Sequence, residues 1–330
     1  MKCALLVVVL AAAAALLGAA DGATEKRQLR IGLVEESNVL ASRDVGRTAF
    51  MRALDRVGAQ GRVVFIAPNH DATQALVYLA RQRYDLIIAR YFDHNRPAAI
   101  EPVAREFPGV KFLLPDESAA NLERLSGNIE GSVFRAQEAA YLAGYLAAMM
   151  EHRRPGKDMI SWVGGRKNPG VDRWAAGYEA GARRADPDIT ILHVYTNDFV
   201  VASRCKTAAL SQIARGAGVV FNIAGGCGLG ALQAAKEKGV WGIGVDGDQS
   251  YLGPHVLTSA VVRIDAGILN AMRALEQGTF RTGGNRIYGL REGGVGLGKV
   301  STRVPRSVLR QVERIRRQIV AGKIRVPSTI

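Results

Sequence analysis

The stretch 216–265, GAGVVFNIAGGCGLGALQAAKEKGVWGIGVDGDQSYLGPHVLTSAVVRID, constrains the fold more than any other part of the chain. Val219–Ile223 is a short apolar run with β-branched residues and predicts a buried strand. Residues 225–230, GGCGLG, form a glycine turn in which backbone can approach a ligand without a Cβ in the way. Residues 231–238 have helical composition, and 241–245 predict a second buried strand ending on Asp246. Strand, turn, helix and strand make a βαβ unit. Open α/β sheets bind ligands outside the C-terminal ends of their strands, so this unit places Asp246 beside a crevice.

The same alternation fills the chain. Strands are predicted over 30–34, 62–67, 86–90 and 111–114, with helices over 45–57, 72–83 (Asp71 as N-cap) and 98–106. A long helix over 134–150 carries Ala136, Ala140, Gly144 and Ala147 at helical spacing, which suits close packing. Its apolar core is only about a dozen residues, short of the roughly twenty a bilayer requires. After a polar linker at 152–157 the pattern restarts with strands over 159–163 and 189–195 and helices over 171–185 and 202–215. Extended segments at 257–264 and 286–297 flank a helix at 266–277. With only 6% aromatic residues, this is an α/β chain. The pattern alone suggests two successive domains.

The first residues read as a secretory leader: Met1-Lys2, an apolar run over 4–17, then small residues. Cleavage after Ala20 puts Gly18 at the −3 position, whereas cleavage after Ala23 would put charged Asp21 there, so 1–20 is the expected signal peptide. The protein is then periplasmic or extracellular. Cys3 precedes the apolar run, so no lipid-attachment cysteine follows it. Two cysteines remain, Cys205 and Cys227. An even count in an exported chain predicts a disulfide, and in a right-handed βαβ unit both positions fall on one sheet edge. The five histidines are scattered, and no metal site is expected.

The net charge of +14 invites a nucleic-acid or membrane reading. Its distribution argues otherwise: Arg303, Arg306, Arg310, Arg314, Arg316, Arg317, Lys323 and Arg325 stand against Glu313 alone near the C-terminus. A basic terminal helix is ordinarily a solvated face, with an acidic partner or envelope surface as the alternative, and no nucleic-acid signature accompanies it.

An enzyme reading exists. Residues 226–231 fit G-x-G-x-x-A, with Asp246 placed as the ribose-binding acid of a NAD-dependent oxidoreductase. Against it stand the position several strands into the chain, export, and the lack of an acid/base constellation. Neither G-x-S-x-G nor a Walker A motif occurs. The expectation is a protein that is not an enzyme and takes no cofactor. Asp246 and Asp248 would share a face if the strand continued that far; ligand contact, turn cap, and metal or catalytic site all remain readings of Asp246.

The motifs AGGCGLG, GIGVDGDQ and LTSAVVRID, with GSVFRAQEAAYLAGYLAAMM (131–150), WVGGRKNPGVDRWAAGYEAGA (162–182) and LREGGVGL (290–297), resemble the BMP (basic membrane protein) family of ABC-transporter substrate-binding proteins over most of the chain after about residue 28. The resemblance implies a type I periplasmic-binding-protein fold, two Rossmann-like lobes joined by a multi-strand hinge. The N-terminal lobe would hold 28–132 plus 265–285, and the C-terminal lobe 133–264 plus 286–330. It implies a small polar ligand, nucleoside-like, bound between the lobes, with ABC permease and ATPase subunits as partners and the membrane met only through the permease. A ligand-sensing receptor subunit of the same fold is the alternative. Phe199 is similar in place to an aromatic that stacks on the base in nucleoside-binding relatives, and it equally suits a strand-end core position. Their motif after the first strand reads here EESNVLASRDVG, with Val45 and Gly46 where an aromatic and Asn are expected. Glu36 and Asn38 are polar candidates in that segment. Where the family offers lysine after TSAV, this chain has Val262-Arg263. Gly226, Asp246 and Arg263 are the remaining candidates on the second lobe. Phe92 and Asp116 follow predicted strand ends of the first.

Overall fold

A computed structural model describes residues 27–36, 45–67, 71–90, 96–116, 127–156 and 158–330. The central apolar runs become strands buried on both faces, as parallel sheets flanked by helices require, whereas the edge runs Gln60–Ile66 and Thr190–Tyr195 stay partly exposed. β1 (Arg30–Glu36), β2 (Gln60–Ile66), β3 (Leu86–Arg90), β4 (Lys111–Pro115), β5 (Ile129–Phe134) and β11 (Gly284–Tyr288) form one sheet in the order β11-β5-β4-β3-β1-β2, all parallel. β6 (Met159–Gly164), β7 (Thr190–Tyr195), β8 (Val219–Ile223), β9 (Trp241–Asp246), β10 (Val256–Val262) and β12 (Val295–Leu297) form the other, in the order β12-β10-β9-β8-β6-β7. There only β12 runs antiparallel.

Period-two alternation along the strands decides what each face covers. Ile31, Leu33, Leu86 and Ile88 pack under α1 (Val45–Val57) and α8 (Ile264–Glu276). Val34, Ile87 and Ala89 pack under α2 (Thr73–Arg81) and α3 (Arg96–Glu106). In the second sheet Ile160, Trp162, Val219 and Phe221 face α4 (Ala136–Glu151), α5 (Pro169–Ala185) and α9 (Arg306–Val320). Val163 and Val220 face α6 (Ala202–Ala214) and α7 (Gly228–Lys238). Glycines let α4 and α5 touch: a Cβ on Gly144 would lie 1.9 Å from the Tyr178 carbonyl oxygen, and one on Gly181 2.0 Å from that of Tyr141. Among the described residues no helix is long and apolar enough to cross a membrane.

The lobes are discontinuous. The chain passes from β5 of the first sheet into α4 of the second lobe, from β10 back into α8, and from β11 forward to β12. The extended segment expected at 286–297 is therefore two strands in two sheets. Tyr288 pairs with Phe134 in the first sheet, so two boundaries expected earlier, before 133 and at 285, fall after Phe134 and Tyr288. The cause is register: Gly284–Tyr288 hydrogen-bonds alongside β5 over its full length. Asp71 does not cap α2 itself; its carboxylate accepts the Thr73 N–H and hydroxyl at 2.9 and 2.6 Å, one residue ahead of the cap.

Candidate functional site

Both sheets reverse winding direction, between β1 and β3 in the first and between β6 and β8 in the second. Such switch points leave a crevice at the C-terminal strand ends. At the first stands an ion pair, Glu35 of β1 with Arg90 of β3; the Glu35 side chain is fully buried. At the second stands Phe199, in the loop after β7. Its ring lies across the backbone just past β6, where a Cβ on Gly165 would meet the ring at 2.2 Å. The loop is fixed from both sides. The Phe199 carbonyl accepts the Cys227 N–H at 2.9 Å, and the Asp198 carboxylate accepts the N–H groups of Val200 and Val201 at 2.7 and 2.9 Å. The Val201 and Val200 amides, in that order, hold the Asp198 carboxyl below its ordinary value. Phe199 keeps 37% of its surface exposed.

Asp246 ends β9 with φ +65°, and the Gly247 N–H returns to the Val245 carbonyl at 2.8 Å. A three-residue turn with positive φ at a non-glycine centre is rare and strained. A polar network holds it. The Gln249 side-chain oxygen accepts the Val245 N–H at 3.0 Å and the Asn222 amide at 3.4 Å, while the Gln249 N–H donates to the Ser259 hydroxyl at 2.9 Å. Asn222 and Ser259 are fully buried. The Asp246 side chain is exposed at the cleft edge; desolvation by the protein around the cleft raises its pKa, and the Arg90 charge opposes that rise. The first lobe's switch-point arginine thus acts across the gap on the second lobe's acid.

A cleft of about 820 Å³ opens beside Asp246. It is walled by Arg52 and Arg56 of α1, Asp265 and Asn270 of α8, and the β9, β10 and β12 ends with Asp248, Arg263 and Lys299. Arg263 is the hinge residue between β10 and α8; its N–H donates to the Gly294 carbonyl at 2.8 Å, and its side chain is exposed. Asp246 and Arg263 therefore share one cleft. Asp248 is not on the strand with Asp246, because β9 stops at Asp246. Its carboxylate accepts the Ser250 N–H and hydroxyl, each at 3.1 Å. Asp248 thus caps the turn that follows.

The glycine turn departs from the dinucleotide pattern. A Cβ on Gly230 would sit 1.8 Å from the Ala202 carbonyl oxygen, and one on Gly228 would collide with the Asn222 amide. Gly228, the second glycine of that pattern, is met by the Asn222 amide, and Gly230, at one of its unspecified positions, brings α7 against α6. Half-buried Gly226 precedes the helix, and its carbonyl accepts the Leu229 N–H at 3.2 Å. Cys205 and Cys227 are joined, with Cα atoms 5.5 Å apart, tying α6 to the start of α7.

In the first lobe, Asp116 follows β4 with φ +55°, is exposed, and does not line this cleft. Glu36 ends β1, with its side chain outside the described residues, as are Asn38 and Phe92. Arg52, Arg56, Lys299, Gln249, Asn222 and the Glu35–Arg90 pair were not singled out from sequence. Asn222 and Arg90 did leave a signal, as polar residues in or ending otherwise apolar strands. One group of side chains lies within metal-ligating reach among the described residues: His152, Asp158 and Asp186, in turns flanking β6 and β7.

The family described as Bmp, ABC transporter substrate-binding protein PnrA-like, matches residues 53–329. Basic membrane protein A1 of Borrelia garinii subsp. bavariensis is 34% identical over 229 residues, 68% of this chain and 66% of that protein's length, just under two thirds of it. The CD4+ T-cell-stimulating antigen of Listeria monocytogenes serovar 1/2a is 30% identical over 265 residues, 75% of this chain and 71% of that protein. A solved ABC transporter system solute-binding protein from Aeropyrum pernix K1 is similar in fold, with TM-score 0.75 at 23% identity over 91% of this chain and 93% of its own.

Proposed function

Since the chain belongs to the Bmp family of PnrA-like ABC transporter substrate-binding proteins, we propose that it is the extracytoplasmic capture subunit of an importer, taking a small polar, nucleoside-like ligand between its lobes and presenting it to permease and ATPase subunits. No covalent chemistry is involved. The observation that carries the reading is Asp246: a carboxylate in a strained turn, open to the cleft. Such a carboxylate accepts two hydrogen bonds from vicinal hydroxyls, as a ribose offers. Arg263 on the hinge supplies a forked donor from the same cleft. Phe199, held over the second sheet's switch point, supplies a face for a planar base. Three chain crossings between the lobes suit the hinge closure by which periplasmic binding proteins enclose solutes.

The test is to denature purified protein, identify what it releases by mass spectrometry, and titrate nucleosides into the refolded, emptied protein by calorimetry. A released nucleoside that rebinds supports the reading. A released sugar or amino acid, with no heat from any nucleoside, refutes the ligand class.

A further inference from the structure

Among the described residues, a dense stripe of positive charge lies on α9, which carries none of the residues assigned to ligand capture. Val308, Val312, Ile315 and Ile319 of this helix are buried in the second lobe's core. At 3.6 residues per turn, Arg306, Arg310, Arg314 and Arg317 fall together on the opposite face, in a stripe about 17 Å long. All four are exposed. The helix carries one acid, Glu313, whose carboxylate is taken by Arg316 at 2.8 and 2.9 Å. Arg317 reaches it only at 4.0 Å, and Arg306, Arg310 and Arg314 have no carboxylate partner among the described residues. Exposed Lys323 and Arg325 extend the charge beyond the helix.

We propose that this stripe docks the second lobe on a bilayer surface of anionic phospholipid. A protein interface is expected to centre on aromatic or large apolar anchors in pockets. Here the exposed large apolar side chain on the helix is Leu309 alone among the described residues. Regularly spaced arginines, three of the four without a carboxylate partner among the described residues and with one exposed leucine beside them, match a planar, diffuse negative charge instead. The apolar face is committed to the core, so the helix rests on headgroups and does not insert. The attraction is therefore electrostatic and screened by salt. An extracytoplasmic binding protein of this family meets its permease at such a surface, and docking would keep it near that partner.

The experiment is cosedimentation of the full purified chain with vesicles of mixed phosphatidylcholine and phosphatidylglycerol, and with phosphatidylcholine alone. Each basic residue near an anionic surface strengthens partitioning about fivefold. The R306Q/R310Q/R314Q/R317Q variant should therefore bind the mixed vesicles some hundredfold or more weakly, with an unchanged melting temperature. A control of equal net charge, R81Q/R184Q/R215Q/R273Q, removes four exposed arginines elsewhere and should retain binding. Raising salt from about 0.02 M to about 0.3 M shortens the screening length several-fold and should release the unaltered protein. Three results would overturn the proposal: no binding of the unaltered chain to mixed vesicles at low salt, equal loss in both variants, or retention on polyglutamate without retention on vesicles. The last would assign the stripe to an acidic protein.

Discussion

Replacing Asp246 with Asn separates binding from folding in a way few substitutions in this chain can. Asn tolerates the left-handed backbone that Asp246 adopts at φ +65°, so the turn is kept. What changes is charge. Partial desolvation at the cleft raises the Asp246 pKa with Arg90 opposing, so the folded apo protein holds this proton more tightly than the unfolded chain does. By linkage, the ionised group then costs stability above its unfolded pKa; that cost grows as pH rises from the ordinary value of 3.8 through the raised one and stays constant above it. D246N removes the cost, so apo D246N should melt higher than the unaltered protein at pH 7, and the difference should shrink as pH falls toward 4. Ligand binding should move the other way. A carboxylate accepting two hydroxyls makes charge-assisted bonds of about 1.5–3 kcal/mol each. Asn keeps one acceptor oxygen and no charge, so the loss expected is about tenfold or more, and D246A should lose more still. The unaltered protein should itself lose affinity as pH falls, at a higher pH than an ordinary carboxylate would set. Calorimetric titrations beside melts from pH 4 to 8 measure both arms. If D246A leaves affinity unchanged and lowers the melting temperature sharply, Asp246 is a structural cap and the site assignment fails.

Further outcomes follow from neighbouring contacts. Changing both Cys205 and Cys227 to Ser opens a loop of sequence separation 22, worth about 3 kcal/mol in the chain-entropy model, and should lower the melting temperature by several degrees under non-reducing conditions. Two free thiols titrating in the unreduced, unfolded protein would refute the bridge. Gly165→Ala drives a Cβ into the Phe199 ring, so it should weaken ligand binding as Phe199→Ala does, by about 1–3 kcal/mol for one stacked base; unchanged affinity in both variants would remove Phe199 from the site. Arg90→Ala removes one ion-pair partner of fully buried Glu35 and should destabilise by up to about 3–5 kcal/mol. It should also raise the Asp246 pKa further, shifting the acid limb of binding to higher pH; an unmoved limb would show that the two lobes do not couple through this pair.

The elements were legible because both-face burial writes itself as apolar runs. Leu86–Arg90, Val219–Ile223 and Trp241–Asp246 became strands where expected. Layer architecture followed from the alternation of runs and amphipathic helices. Lobe exchange was not legible from the residues themselves, because nothing local in GNRIY says that it will pair with Ile129–Phe134, more than a hundred residues away, rather than continue into VGL. Nor was the work of the glycines. G-x-G-x-x-A reads the same whether its glycines clear space for a phosphate or, as at Gly228, for the buried Asn222 amide; only the partner's position decides. Asp246 shows the converse case. Strand-end placement could be read directly, but its consequence depends on Gln249, three residues on, reaching back to the Val245 amide and across to Asn222. That buried network forces a left-handed acid out toward the cleft instead of letting β9 run on to Asp248. The chemistry of the site thus lies in an interruption of regular structure, and a pattern of periodicities cannot contain it.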